Sequence, residues 1–201
     1  MRVVTLCLLA LTVPVALLVR PQRRVEVAPV RGKVDLRLSS IAGQLARRPV
    51  QVRCEGLQTE LMSATGESGS VEFLDDEPTD TAVLKDGICA TLHLYSQSTK
   101  RGPSCLLPCD DSTPAVVWSL NTLAHESYHL AGVRDEATTQ CYALQAIGFV
   151  ARSLGASQFQ ATALADWAAA NLPSRMPAAY WSPQCRDGGS LDLDPGSPVW
   201  P

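Results

Sequence analysis

The second half of the chain is written as three helices separated by stops. Thr113 can N-cap and Pro114 suits the first helical position, so a helix is predicted from there to Ala131, where Gly132 ends it. A second is predicted from near Asp135 to Leu154, ended by Gly155, and a third from Ser157 to Leu172, ended by Pro173. Gly132 lets the chain reverse, so the second helix can return alongside the first.

The first half is more mixed. A helix is predicted over Val34–Arg48, with Leu38, Ile41 and Leu45 on one face and Pro49 stopping it. Glu67–Leu74 and Thr79–Leu84 are predicted strands around the turn-forming Asp75-Asp76-Glu77-Pro78, and Ile88–Tyr95 alternates like a third strand. Arg101–Thr113, which holds Cys105 and Cys109, is a predicted cross-linked loop. Pro183–Pro201, rich in Gly, Pro and Asp, is a predicted extended tail. No repeats are visible. The fold class is therefore α+β, helix-dominated, with a small sheet.

Val3–Val19 is an apolar run of 17 residues, with Arg2 before it and Arg20, Arg23 and Arg24 after it. As a helix it would span roughly 26 Å, close to a ~30 Å hydrocarbon core. No small-x-small cleavage site follows, so the expectation is an uncleaved, single-pass signal-anchor, with a cleaved and secreted form as the alternative. The positive-inside rule, taken alone, would keep the body in the cytoplasm. Against it stand six cysteines outside the span: Cys54, Cys89, Cys105, Cys109, Cys141 and Cys185. An even number with no C-x-x-C pair suits disulfides in an oxidising compartment, so an extracytoplasmic domain is expected.

Composition narrows the partners. Apolar residues make up 46% of the 201 and charged ones 18%, which suits a chain with a real core. All 20 acidic residues lie after Arg24, but only 13 of the 17 basic ones do, so the body carries −7. That balance gives no electrostatic handle on phosphate, and nucleic acid is not an expected partner.

Chemistry concentrates in one place. His125-Glu126-Ser127-Tyr128-His129 is H-E-x-x-H, inside the helix that begins at Pro114. The i, i+4 spacing stacks both imidazoles on one face, where both can reach a single Zn2+. Glu126 follows the first ligand, so its carboxylate can hold a zinc-bound water and take its proton. A zinc site that turns over also needs a third protein ligand and an open fourth position. Asp135 and Glu136, just past Gly132, both offer a carboxylate.

Two resemblances bear on that choice. H-E-x-x-H-x-x-G-x-x-D resembles the Asp-liganded relatives of the metzincin proteases and would make Asp135 the ligand. Glu136-Ala137-Thr138-Thr139-Gln140-Cys141-Tyr142-Ala143-Leu144 resembles the second-helix signature of gluzincin proteases, both thermolysin-like enzymes and integral-membrane prenyl-protein proteases. That likeness implies His125, His129 and Glu136 as ligands, Glu126 as base, and Asp135 as a helix cap. The long helical pattern that follows goes against the metzincin reading, whose Met-turn has only Met176 as a candidate. Two features depart from the gluzincin pattern: only six residues separate His129 from Glu136, and Gln140 stands where an Asp often orients a histidine. The whole chain is also similar to membrane-anchored actinobacterial proteins that share H-E-x-x-H…G-V-x-D-E-A…C-Y-A-L-Q, a likeness that implies no activity.

The expected organisation is a signal-anchor or signal peptide (1–24), a linker (25–33), a domain that the gluzincin likeness makes zincin-like (34–182) and an extended C-terminal tail (183–201). The expected activity is a zinc metallopeptidase on a peptide or protein substrate, with an extended peptide pairing along Thr79–Leu84 or Ile88–Tyr95. The alternative is a membrane-anchored interaction protein whose metal is structural or vestigial. Lesser candidates are His93 as oxyanion stabiliser or substitute ligand, Tyr128 and Tyr142 as hydroxyl donors, and Trp118 as a wall of the site. For each, packing or a surface role is the plainer reading, and a disulfide or buried thiol explains Cys141 better than catalysis. Asp75-Asp76-Glu77 and Asp110-Asp111 are solvated turns rather than calcium loops.

Overall fold

In the computed structural model, residues 32–55, 68–99, 112–197 and 199–201 are described. They form a helix-dominated α+β fold with a four-stranded mixed sheet. The elements are β1 (Lys33–Val34), α1 (Leu36–Ala46), β2 (Gln51–Cys54), β3 (Gly69–Leu74), β4 (Glu77–Leu84), α2 (Asp86–Thr99), α3 (Thr113–Leu130), α4 (Glu136–Ser153) and α5 (Gln158–Asn171). Two single 3-10 turns, Pro173–Arg175 and Ala178–Tyr180, follow.

The sheet runs β1-β2-β4-β3. β1 is antiparallel to β2, β2 parallel to β4, and β4 antiparallel to β3, so β3 is an edge strand. Asp75 (φ 50°) and Asp76 (φ 71°) make the β3–β4 connection. A two-residue hairpin with both φ positive matches the right-handed twist of its strands, and aspartate tolerates that region better than bulkier residues do.

α3 is the hub: it packs on α1, α2, α4 and the sheet. Because it is surrounded, its polar residues are buried too and must find partners. Ser119, Thr122 and Ser127 each donate to the carbonyl four residues back, at Ala115, Trp118 and Leu123. Asn121, His125, Glu126 and His129 are left for other work.

The predicted α1, the hairpin and the last three helices stand within a few residues of their expected bounds. Asp135 caps α4, and Ser157 caps α5 in a reciprocal capping box with Gln160. Gly132 (φ 95°) and Gly155 (φ 109°) hold the left-handed conformation that ends a helix.

Three expectations are corrected. Ile88–Tyr95 belongs to helix α2, not to a strand; the buried residues of α2 are Cys89, then Leu92 three on, then Tyr95 and Ser96 three and four beyond that. Lys33, placed in the linker, pairs with Cys54 in the sheet. Residues 183–197 form successive turns and bends bound to the core rather than an extended tail: Gln145 Nε2 donates to Leu191 O (2.8 Å) and Leu193 N donates to Gln145 Oε1 (2.7 Å), while Leu191 and, further on, Trp200 pack on the core.

Two disulfides, Cys54–Cys89 and Cys141–Cys185, tie β2 to α2 and α4 to the C-terminal segment. Cys105, Cys109, Asp110, Asp111 and the apolar run Val3–Val19 lie outside the described residues. Among the described residues, no helix is long and apolar enough to cross a membrane.

Candidate metal centre

His125 and His129 stand one turn apart on α3, and both are buried. Their Nε2 atoms approach to 3.0 Å, with the rings edge to face. The chain then reverses through Gly132, whose N–H donates to His129 O, and enters α4 with Glu136 as its first residue. Glu136 Oε2 lies 3.0 Å from His125 Nε2 and 3.5 Å from His129 Nε2. His125, His129 and Glu136 thus form a group that could hold a metal ion. Donors bound at ~2.0–2.1 Å around a tetrahedral ion lie about 3.3 Å from one another. The three separations fit that figure.

The outer ring atoms fix which nitrogens face inward. His129 Nδ1 is 2.7 Å from Val133 O, a pure acceptor, so Nδ1 carries the proton and Nε2 the lone pair. His125 Nδ1 is 3.2 Å from Gln140 Oε1. Gln140 is held by a reciprocal amide pair, Nε2 donating to Asn121 Oδ1 (2.9 Å) and Oε1 accepting from Asn121 Nδ2 (3.1 Å). The amide therefore presents its oxygen to His125, as a charged Asp would. Two lone pairs and a carboxylate then face one another, an arrangement that a cation relieves.

Electrostatics agree with a donor set. Burial, and next the neighbouring His125, push the His129 pKa below its ordinary value, favouring the neutral form that binds metals. When His125 instead carries a proton on Nε2, its hydrogen bond holds the Glu136 carboxyl below the usual carboxylate range, so a proton and a cation compete for the same place, and the position of Glu136 in the first turn of α4 favours the anion further.

Asp135 does not join this group. Its Oδ1 accepts from Thr138 N (2.8 Å) and Thr138 Oγ1 (2.6 Å), and these two bonds lower its pKa at the mouth of α4. Its carboxylate is committed to the helix cap, and the metal group contains Glu136 instead.

Glu126 is 5% exposed and lines the same cavity, of about 560 Å³, as the metal group. One wall is β3, through Gly69, Val71 and Phe73; the other is the C-terminal segment, through Met176, Pro177 and Tyr180. Gly69 is required by a close approach: a Cβ there would lie 2.8 Å from both Cγ and Oε1 of Glu126 and 2.9 Å from Leu84 Cδ2. Trp118 does line the cavity, its Nε1 donating to Ser68 Oγ at 2.9 Å and so tying the residue just before β3 to α3.

The other candidates lie elsewhere. His93, on α2, pairs with Asp35 at 2.7 Å and is not among the residues lining the cavity. Tyr128 and Tyr142 pack against each other, ring centroids 5.4 Å apart, away from the cavity. The tyrosine beside the metal group is Tyr180, whose ring centroid lies 5.7 Å from that of His125. It follows His125 by many residues in a proline-rich segment, so no spacing rule flags it. Arg134 also lines the cavity; its place beside Asp135 was the one available signal.

No protein-family model matches the chain, and no curated protein or solved structure matches it either.

Proposed function

We propose that this protein is a zinc-dependent hydrolase of peptide bonds, with His125, His129 and Glu136 as metal ligands and Glu126 as general base. The observation that carries the reading is the convergence of three donor atoms at tetrahedral spacing inside a cavity that also holds the Glu126 carboxylate. Two imidazoles and one carboxylate are a donor set that zinc accepts, and three protein ligands leave a coordination position open. When bound, zinc supplies the Lewis acidity that makes water a nucleophile near pH 7.

The chain's own residues do the rest. Glu126 receives the proton of the attacking water on its carboxylate and returns it to the leaving amine. Gly69 gives that carboxylate its room on the sheet side, since a Cβ there would lie 2.8 Å from Glu126 Oε1. Gln140 and Val133 O keep the imidazoles turned inward. The edge available to pair with an extended peptide belongs to β3, whose Gly69, Ser70, Val71 and Phe73 line the cavity. A purely structural zinc gains nothing from an open cavity or from a confined glutamate. The Glu136 side chain is 42% exposed, which favours a working site over a sealed one.

The two disulfides support an oxidising compartment, and we extend the proposal to an extracytoplasmic domain anchored through the apolar run at Val3–Val19.

The test is Glu126→Gln in the zinc-loaded full chain, with cleavage of a defined peptide mixture followed by mass spectrometry. Retained zinc with turnover reduced by roughly 10²–10⁴ supports the role of base. Wild-type cleavage that survives the substitution unchanged refutes it.

A further inference from the structure

Arg134 is the only lysine or arginine lining the cavity among the described residues. Its guanidinium carbon lies 5.1 Å from the Phe73 ring centroid, and Phe73 in turn meets His129 edge-on at 6.0 Å. Nη1 is engaged by Asp76 at the tip of the β3–β4 hairpin. No hydrogen bond from Nε or Nη2 is made to the described residues, so one edge of the fork is unused. That edge is one aromatic ring away from a metal-site histidine.

We propose that Arg134 selects the substrate of this cavity by taking a carboxylate on the peptide, within about three residues of the bond cleaved, given ~3.3 Å of extended chain per residue; this rests on the hydrolase reading above. A guanidinium seated over an aromatic ring and tied at one nitrogen keeps its planar fork oriented, which suits bidentate recognition of a carboxylate better than a lysine would. Asp76 orients the group without saturating it. With the Asp76 side chain 83% exposed and that of Arg134 54% exposed, their ion pair is a weak competitor. The carboxylate can be a side chain or the peptide's C-terminus, and both present the same two oxygens.

The test uses the zinc-loaded full chain carrying Glu126→Gln, which binds without turning peptides over. Three matched peptides are titrated by fluorescence polarisation: one with an internal Glu and an amidated end, one with Gln and a free carboxyl end, and one with Gln and an amidated end. At least one acidic peptide should bind tenfold or more tighter than the neutral one. Adding Arg134→Gln should remove that preference, with affinity for the neutral peptide and zinc content unchanged. Which acidic peptide gains shows whether the side chain or the terminus is read. Equal binding of all three, a preference that survives Arg134→Gln, or no binding at all overturns the assignment to Arg134. If zinc stays at about one per chain in those cases, the hydrolase reading stands without it; if no zinc is bound, both fall.

Discussion

Glu136 Oε2 lies 3.0 Å from His125 Nε2, although α3 ends and the chain reverses between them. Their neighbour Asp135, one residue closer in sequence, is turned to Thr138 instead. The two adjacent acids therefore have separable roles. Glu136→Gln should weaken zinc binding by at least ~10-fold with little change in stability, because it removes a ligand and leaves the cap intact. Asp135→Ala should keep zinc and cost about 1 kcal/mol of stability through the lost cap. Chelator competition and urea unfolding on both variants measure the two effects.

Gln140 acts through His125. Gln140→Ala removes the oxygen facing His125 Nδ1 and leaves the Asn121 amide without its reciprocal partner. Loss of such an outer contact typically lowers metal affinity by about 10–100-fold. Gln140→Glu should restore the contact with a negative charge and raise affinity above that of the alanine variant, measured by the same competition.

Gly69 sets the position of Glu126. In Gly69→Ala the new methyl would meet Glu126 Cγ and Oε1 at 2.8 Å, so the carboxylate must shift. Turnover should fall by roughly tenfold or more while zinc content stays constant, because general-base catalysis depends on a positioned carboxylate and the ligands are untouched. Parallel zinc analysis and rate measurement separate this from a folding defect.

Tyr95 gives a prediction outside the site. It is 3% exposed, its hydroxyl has no hydrogen-bond partner among the described residues, and burial pushes its pKa up to about 12. The folded state thus holds the proton more tightly than the unfolded chain, whose tyrosine titrates near its ordinary 10.0. The associated stability is fully present below pH 10 and is lost as pH rises through about 12. Tyr95→Phe should raise stability at pH 7 by about 1 kcal/mol and flatten the alkaline decline, measured by urea unfolding across pH.

Much of the helical half was legible in the sequence because its punctuation is local. Gly132, Gly155, Pro173 and the caps at Asp135 and Ser157 act within one turn of the residues they terminate or start. Ile88–Tyr95 misled because Ile88, Ala90, Leu92 and Leu94 alternate, while the buried set Cys89, Leu92, Tyr95 and Ser96 follows the helical period. A short apolar segment satisfies both periods, and packing against α3 decides between them.

At the site, the H-E-x-x-H spacing was enough to bring His125 and His129 together, since i, i+4 is a property of any helix. Spacing alone left Asp135 and Glu136 open, and the direction of the cap separates them. The cavity walls were not legible. Gly69, Phe73 and Tyr180 reach Glu126, His129 and His125 respectively through the hairpin and the disulfide-tied C-terminal segment, and no local pattern encodes those contacts.

The central claim is most directly tested by the zinc content of the full chain, purified with its disulfides intact, beside His129→Ala. The account predicts about one zinc per chain, lost in the variant while its circular dichroism is retained. A folded wild-type chain that takes up no zinc when zinc is supplied and the excess removed, or a His129→Ala chain that binds it equally well, would contradict it.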